Sequence, residues 1–309
     1  MTLPTHFTLN SGYKIPAIGL GTWQSKPNEV ANAVEVALKN KYRHIDGAAI
    51  YQNENEVGDG IRASGVPREE IFVTSKLWNN SHRGDEVEKA LDKTLADLRL
   101  DYVDLYLIHW PAHFAPNKGF FPKDDNGKVI LDQVPIAETW KAMEALVKKG
   151  KTKSIGVSNF TIAQIEELLK TAEIPPAVNQ IEAHPELQQP KLLEYLKSKN
   201  ILAVAYSPLG NNIYGKPRVL DHDKVQAIAK KLNKEPANVL ISWAIQRGTA
   251  VLPKSITASR IIANYEVFEL SKEDFDELNS LEKHGRLNDP VEWGVDIFGE
   301  HEGAGLVQC

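Results

Sequence analysis

The sequence predicts an α/β fold, a single (β/α)8 TIM barrel over residues 1–309, and three observations predict it. The 309 residues exceed the ~250 of a typical barrel, yet no Ser/Gly-rich or Pro-rich linker divides them into two domains. Eight short runs rich in β-branched or aromatic residues recur along the chain. Segments with helical periodicity lie between them. Near-continuous apolar strands joined by helices should be parallel and covered by those helices.

Residues 7–15 read as an N-terminal β-hairpin turning at Asn10-Ser11-Gly12, placed to cap the barrel floor. The first strand is expected at 17–20. The run that follows, Gly19-Leu20-Gly21-Thr22-Trp23-Gln24, lacks the third glycine of the dinucleotide fingerprint, which argues against a doubly wound sheet. Residues 29–40 carry a helical stripe of Val30, Ala33, Val34 and Ala37. Strands two, three and four are expected at 44–48, 71–75 and 103–109, with a helix at 86–98 through Val87, Leu91, Leu95 and Leu98. Strands five to eight follow at 154–157, 178–182, 202–206 and 249–253, with a helix at 162–171. Two connections are too long for ordinary barrel units. Residues 111–135, after strand four, are turn-rich and read as a functional loop. Residues 209–220, after strand seven, precede two helices, 221–232 and 236–246, the second with Pro236 in its first turn. Both insertions open at the carboxyl rim, where barrel active sites lie. The tail, 284–309, is irregular, with Trp293, Phe298 and several glycines.

Composition excludes several classes. Lys plus Arg is 36 against 41 for Asp plus Glu, a net charge of −5 without a basic excess, so no nucleic-acid partner is expected. The lone cysteine, Cys309, permits neither an intrachain disulfide nor a thiolate metal cluster and fits a reducing compartment, so a cytoplasmic location is expected. No segment approaches the ~18 apolar residues of a membrane span, and the nine histidines form no HExxH pattern, so no membrane and no metal are expected. Composition does not decide whether residues 295–307 lie over a pocket or against another subunit. A monomer or weak dimer is the expectation.

The chemistry is read from polar residues where strands end. Strand two ends in Asp46 and leads to Tyr51, strand three ends in Lys76 and strand four in His109. These strands are neighbours in a barrel, so the four converge on one rim. A free tyrosine titrates near 10, and an ammonium beside it should lower that value and make Tyr51 a usable proton donor. Asp46 would fix Lys76, and His109 could donate a hydrogen bond to a carbonyl oxygen. Each alone could be structural, as a buried ion pair or a core histidine. Four at adjacent strand ends favour a site. A proton donor without a nucleophile or metal calls for a hydride source, and a nicotinamide supplies one. Ser158, Asn159 and Gln180 offer hydroxyl and amide groups for a carboxamide, and Tyr206 offers a ring to stack on a nicotinamide. Pro253-Lys254-Ser255-Ile256-Thr257 leads to Arg260 and a helix start, where an anion could be held.

The stretches GLGTWQS, YRHIDGAAIYQNENEVG, VTSKLW, DYVDLYLIHWP, GKTKSIGVSNF, NQIEAHP, AYSPLG and VLPKSITASRI resemble the aldo-keto reductases, from Ile18 to about Glu282. The pattern looks most like fungal glycerol, glyceraldehyde and sugar-aldehyde reductases. The resemblance implies an NADPH-dependent barrel oxidoreductase that reduces aldehydes, sugar aldehydes or ketones to alcohols, with NADH a weaker donor. It places the catalytic tetrad on Asp46, Tyr51, Lys76 and His109, with Tyr51 as general acid. It implies nicotinamide contacts from Ser158, Asn159 and Gln180, stacking by Tyr206, and further cofactor contacts from Ser207 and Leu209. Lys254, Ser255, Thr257 and Arg260 would hold the 2′-phosphate and Asn264 the adenine. Trp23 and Trp110 would line the substrate pocket beside His109 and Tyr51.

Three positions depart from the family pattern. Gly47 follows the aspartate where relatives usually carry threonine or cysteine, Ala263 replaces a common glutamate before Asn264, and residues 211–220 form a short version of the cofactor clamp. Two rival readings are a catalytically weak structural barrel and a Schiff-base lyase using Lys76. The intact tetrad argues against the first, and the amides at 158, 159 and 180 against the second. Substrate identity is open, from glyceraldehyde and aldoses to uronates and small ketones. A uronate would need a pocket cation such as His113, Lys118, Lys123 or Arg286.

Overall fold

A computed structural model describes residues 2–211, 213 and 215–309. Eight consecutive parallel strands form one sheet: β3 (Leu20–Gly21), β4 (His44–Asp46), β5 (Phe72–Leu77), β6 (Val103–Ile108), β7 (Thr152–Ser158), β8 (Val178–Glu182), β9 (Leu202–Tyr206) and β10 (Ala250–Leu252). The sheet closes on itself through a parallel bridge between Ile18 and Val251, reinforced by Gly19 N donating to Val251 O at 2.9 Å. The (β/α)8 barrel read from the sequence is thus the observed fold. Strand one is shorter than expected. Its glycine lets the chain pass close to the next strand: a methyl group at Gly19 would lie 2.6 Å from His44 Nδ1.

The helices α1 (Val30–Lys39), α2 (Glu54–Ser64), α3 (Gly84–Leu98), α4 (Ile136–Lys148), α5 (Ile162–Leu169), α6 (Pro190–Ser198), α7 (Asp223–Leu232), α8 (Pro236–Gln246), α9 (Ala258–Asn264) and α10 (Lys272–Asn279) surround the sheet. Their apolar stripes, such as Val30, Ala33, Val34 and Ala37 of α1, pack on outward strand residues including Ile45, Val73, Tyr106 and Ile155. The two helices expected after strand seven are α7 and α8. Burial of this ring of side chains is the main driving force for closure.

Strand residues alternate between this outer layer and the barrel interior. Phe72, Leu105, Leu107, Val178, Val204, Ala250 and Leu252 fill the interior. Beneath them, β1 (His6–Thr8) and β2 (Lys14–Pro16) form the expected hairpin, which inserts Leu9 and Ile15 into the same cluster. Asn10 Nδ2 donates to Pro176 O at 2.9 Å, and Ser11 Oγ lies 2.7 Å from Ser154 Oγ. The floor is therefore plugged. Counting in twos up each strand from the aliphatic layer, the next inward positions include Lys76, His109, Gln180, Tyr206 and Lys254, so alternation sends polar groups to the upper rim.

Candidate active site

Asp46, at the end of β4, is buried and accepts from Lys76 Nζ at 2.5 Å and from Gln180 Nε2 at 2.8 Å. Lys76 has no exposed surface. Its ammonium also donates to Gly47 O at 2.9 Å and to the Tyr51 hydroxyl at 3.3 Å. Tyr51 follows in a short 3-10 turn (Ala49–Tyr51) that lifts its hydroxyl toward the rim. The Tyr51 and His109 rings meet edge to face, with centroids 5.8 Å apart. Four residues from three adjacent strand ends thus form one connected group.

Electrostatics in this group differ from the sequence expectation in one respect. Burial raises Tyr51 above its ordinary 10.0, outweighing the downward pull of Lys76. The expected lowering by a nearby ammonium is one contribution, and desolvation of the phenolate is larger. For Lys76, burial favours the neutral amine, but the Asp46 carboxylate and Tyr51 overcome it and hold the pKa above the usual lysine value. His109 is pushed well below 6.5 by burial, with Lys76 and His82 adding to the effect. Its imidazole is neutral near pH 7 and can donate one N–H.

The residues expected to meet a cofactor continue the network. Ser158 Oγ donates to Gln180 O at 2.9 Å, Asn159 Nδ2 donates to His109 O at 3.0 Å, and Tyr206 Oη donates to Asn159 Oδ1 at 2.6 Å. These groups line a cleft of about 520 Å³ that also takes in Trp23, Asp46, Tyr51, His109, Trp110, Ser207, Leu209 and Lys254. That size suits a small-molecule site. Gly47 has ordinary contacts, since a methyl group there would lie 3.7 Å from Thr22 Oγ1 and Thr74 O; what matters at this position is its carbonyl, which Lys76 holds.

Beyond the cleft, Ser255, Thr257 and Arg260 lie at or near the surface at the start of α9, and Asn264 is buried at its end. Lys254 Nζ donates only to Gln24 O, at 3.0 Å. Among the described residues neither Lys254 nor Arg260 lies within ion-pair distance of a carboxylate. This short segment thus carries two cations outside any ion pair together with the hydroxyl side chains of Ser255 and Thr257. Of the short clamp segment, Asn211, Ile213 and Arg218 border the cleft, while residues 212 and 214 lie outside the described residues.

Several cleft residues went unassigned from sequence. Ile50, Trp78, Phe121, Asn288, Asp289, Glu292 and Trp293 all line it. The tail lies over the pocket: the Trp293 ring is 5.3 Å from Trp110 and 5.6 Å from Trp78, edge to face. Trp293 was visible as an aromatic in an irregular tail, but no periodicity placed it. The four cations considered for a uronate do not line the cleft. His113 faces His82, Lys118 and Lys123 are exposed, and Arg286 pairs with Glu300 and stacks 3.6 Å from the Phe298 ring. A separate cavity of about 700 Å³ lies between α5, α6 and residues 282–286, and of the tetrad it contains none.

The sequence profile described as "Aldo/keto reductase family" matches residues 17–283. The chain belongs to the aldo/keto reductase family. It is therefore an oxidoreductase acting on carbonyl compounds. It is 48% identical to a D/L-glyceraldehyde reductase of Hypocrea jecorina, covering 96% of this chain and 94% of that one. It is 47% identical to an NADPH-dependent D-xylose reductase of Meyerozyma guilliermondii, covering 93% and 97%. Among solved structures it resembles the aldose reductase from Schistosoma japonicum, with a TM-score of 0.89, 44% identity, and coverage of 93% of this chain and 95% of that one. Among the described residues no helix is long and apolar enough to cross a membrane, and no cluster of His, Cys, Asp or Glu could hold a metal.

Proposed function

We propose that this aldo/keto reductase reduces small neutral aldehydes, with glyceraldehyde and aldoses as the substrate class, and takes its hydride from NADPH in preference to NADH. The observation that carries the reading is the connected group Tyr51–Lys76–Asp46–Gln180 beside His109. When bound, NADPH supplies the hydride that adds to the carbonyl carbon. Ser158, Asn159 and Gln180 would hold its carboxamide, with Tyr206 against the ring and Ser207 and Leu209 beside it. Lys254, Ser255, Thr257 and Arg260 would hold the 2′-phosphate, and Asn264 the adenine. The two unpaired cations and the amide and hydroxyl row fit such a molecule. An NADH lacks the phosphate that the cations would neutralise, so its KM should be the higher.

In the chain itself, Tyr51 Oη holds the proton that the alkoxide oxygen receives. Lys76 donates to that hydroxyl and so stabilises the phenolate left behind, and Asp46 and Gly47 O keep the ammonium aimed. Neutral His109 donates Nε2–H to the carbonyl oxygen. Trp23, Trp110 and Trp293 cover the site and exclude water. Full burial of Lys76 between three oxygen acceptors disfavours the Schiff-base alternative, which needs a neutral, accessible amine. A reducing, cytoplasmic setting and a monomeric or weakly dimeric chain complete the reading, on the support of one cysteine and a tail folded over its own pocket.

The test is a panel of initial rates with NADPH and NADH on glyceraldehyde, xylose, galacturonate and an aromatic aldehyde. Acidic Asp289 and Glu292 border the cleft, and its cations are Lys254 and Arg218, the latter paired twice with Asp221. Galacturonate is therefore expected to show kcat/KM at least about tenfold below glyceraldehyde, corresponding to roughly 1.4 kcal/mol. Equal or better rates with galacturonate would refute the neutral-substrate assignment, and no NADPH oxidation with any aldehyde would refute the function.

The pH dependence follows from Tyr51. Its pKa is raised, so the reactive phenol persists through neutrality and is lost only as pH rises past that elevated value. For free enzyme, kcat/KM in the reductive direction should stay flat from about pH 7 to 9 and fall above 10. A basic limb centred near pH 8 would show instead that Lys76 outweighs burial.

A further inference from the structure

In the turns around His109, four buried side-chain atoms have no hydrogen-bond partner: His109 Nδ1, His82 Nε2, and both Nδ2 and Oδ1 of Asn79. Such atoms are nearly always satisfied in folded proteins, and a buried water commonly completes the set. All four belong to the turns that leave two neighbouring strands. β5 and β6 pair with Leu77 opposite Ile108, and His109 N donates to Leu77 O at 3.0 Å. The turn after β5 then wraps the back of the imidazole: Trp78 meets the His109 ring edge to face at 5.3 Å, and Asn79 O receives Phe114 N at 2.9 Å. His82, in the same turn, is near enough for its charge to disfavour protonation of His109.

His82 has a second histidine on its other side. Its Nδ1 lies 2.8 Å from Nδ1 of His113, with ring centroids 4.9 Å apart. Two imidazole nitrogens at that distance share one proton, so one ring donates and the other accepts. His113 sits half-buried in the loop after β6, near Asp132, which is itself held by Arg83 through two hydrogen bonds. Consider what the tautomers must be if His109 is to donate from Nε2. Its Nδ1 is then a bare acceptor in a dry site and needs a donor. The buried Nε2 of His82 can be that donor only when His82 accepts at Nδ1, which requires His113 to donate there.

We propose that His113, His82 and Asn79 are positioning residues for His109: His113 donates to His82, and His82 donates, through a water shared with Asn79, to His109 Nδ1. The chain of donors runs inward and leaves the single proton of His109 on Nε2, facing the substrate. A reductase site needs this because the neutral imidazole has one proton and two positions for it. The proposal rests on the reading of His109 as carbonyl-oxygen donor.

The experiment is long-range 1H–15N correlation on histidine-labelled enzyme, with His109→Gln used to assign the His109 signals, together with steady-state kinetics. In the unaltered protein His109 should appear as the pure Nε2–H tautomer and His82 likewise. His113→Leu, at a half-buried loop position, and His82→Leu remove successive donors. In each folded variant His109 should become a mixture of tautomers, and kcat should fall about tenfold, part of what one oxyanion donor supplies, while the NADPH KM changes less than about twofold. His113→Asn, able to donate from its amide, should recover part of the loss. An Nδ1–H tautomer in the unaltered protein, or a pure Nε2–H tautomer surviving in folded His113→Leu, overturns the proposal. Since the tautomer is read without turnover, these outcomes are separate from failure of the donor reading itself, which would show as near-normal kcat in His109→Leu.

Discussion

Tyr51→Phe is expected to lower kcat for glyceraldehyde reduction by about 10² to 10⁴ while leaving NADPH binding within about twofold, because only the proton donor is removed. The ring stays in place against His109, and Lys76 keeps two of its three acceptors, Asp46 Oδ1 and Gly47 O. Stability should therefore change by no more than about 1 kcal/mol, the net worth of a typical hydrogen bond. Fluorescence titration with NADPH, a thermal melt and a steady-state assay on one preparation separate these effects. A kcat within about fivefold of the unaltered enzyme would mean that another group delivers the proton. Loss of NADPH binding would instead mean that Tyr51 supports the cofactor cleft.

The second large effect is on stability. Lys76→Met removes the cation beside a carboxylate that is itself buried, so the Asp46 side chain is left with the amide of Gln180. Breaking a buried pair on one side costs about 3–5 kcal/mol, because the surviving charge has no compensation. Combining Lys76→Met with Asp46→Asn should recover part of the stability without recovering activity. Denaturant unfolding of the two single variants and the double variant is the measurement. A Lys76→Met protein as stable as the original would show that water reaches the pair and screens it.

Most of the barrel could be read because its signals are local. Strand patterns, helix stripes and the two long connections each depend on neighbouring residues, and β6, β8, β9, α5 and α8 lie close to where the pattern puts them. The tetrad was legible for a related reason: alternation along a strand fixes which side chains face inward, so Lys76 and His109 had to rise toward one rim. Tyr51's titration was not legible, since its direction depends on how much protein surrounds it, a quantity set by long-range packing rather than by neighbouring residues. The same holds for Asn288, Asp289 and Trp293. Their place over the pocket results from long-range docking of an irregular segment, with Leu287 N and Asn288 N donating to the buried carboxylate of Glu182. Gln180 was read as a cofactor contact, yet its amide also holds Asp46, a link that only the folded barrel reveals.

The docking of the tail has an evolutionary consequence. Its last segment is organised around Asp296, which receives the backbone N–H groups of Glu300 and His301 and the amide of Gln308, and it is tied to α5 through Gln164. None of those ties involves the tetrad. The piece of chain that shapes what enters is thus held by anchors of its own, so its sequence can drift or be exchanged while proton transfer stays fixed. A barrel built this way can acquire a new substrate by inheriting a different strap.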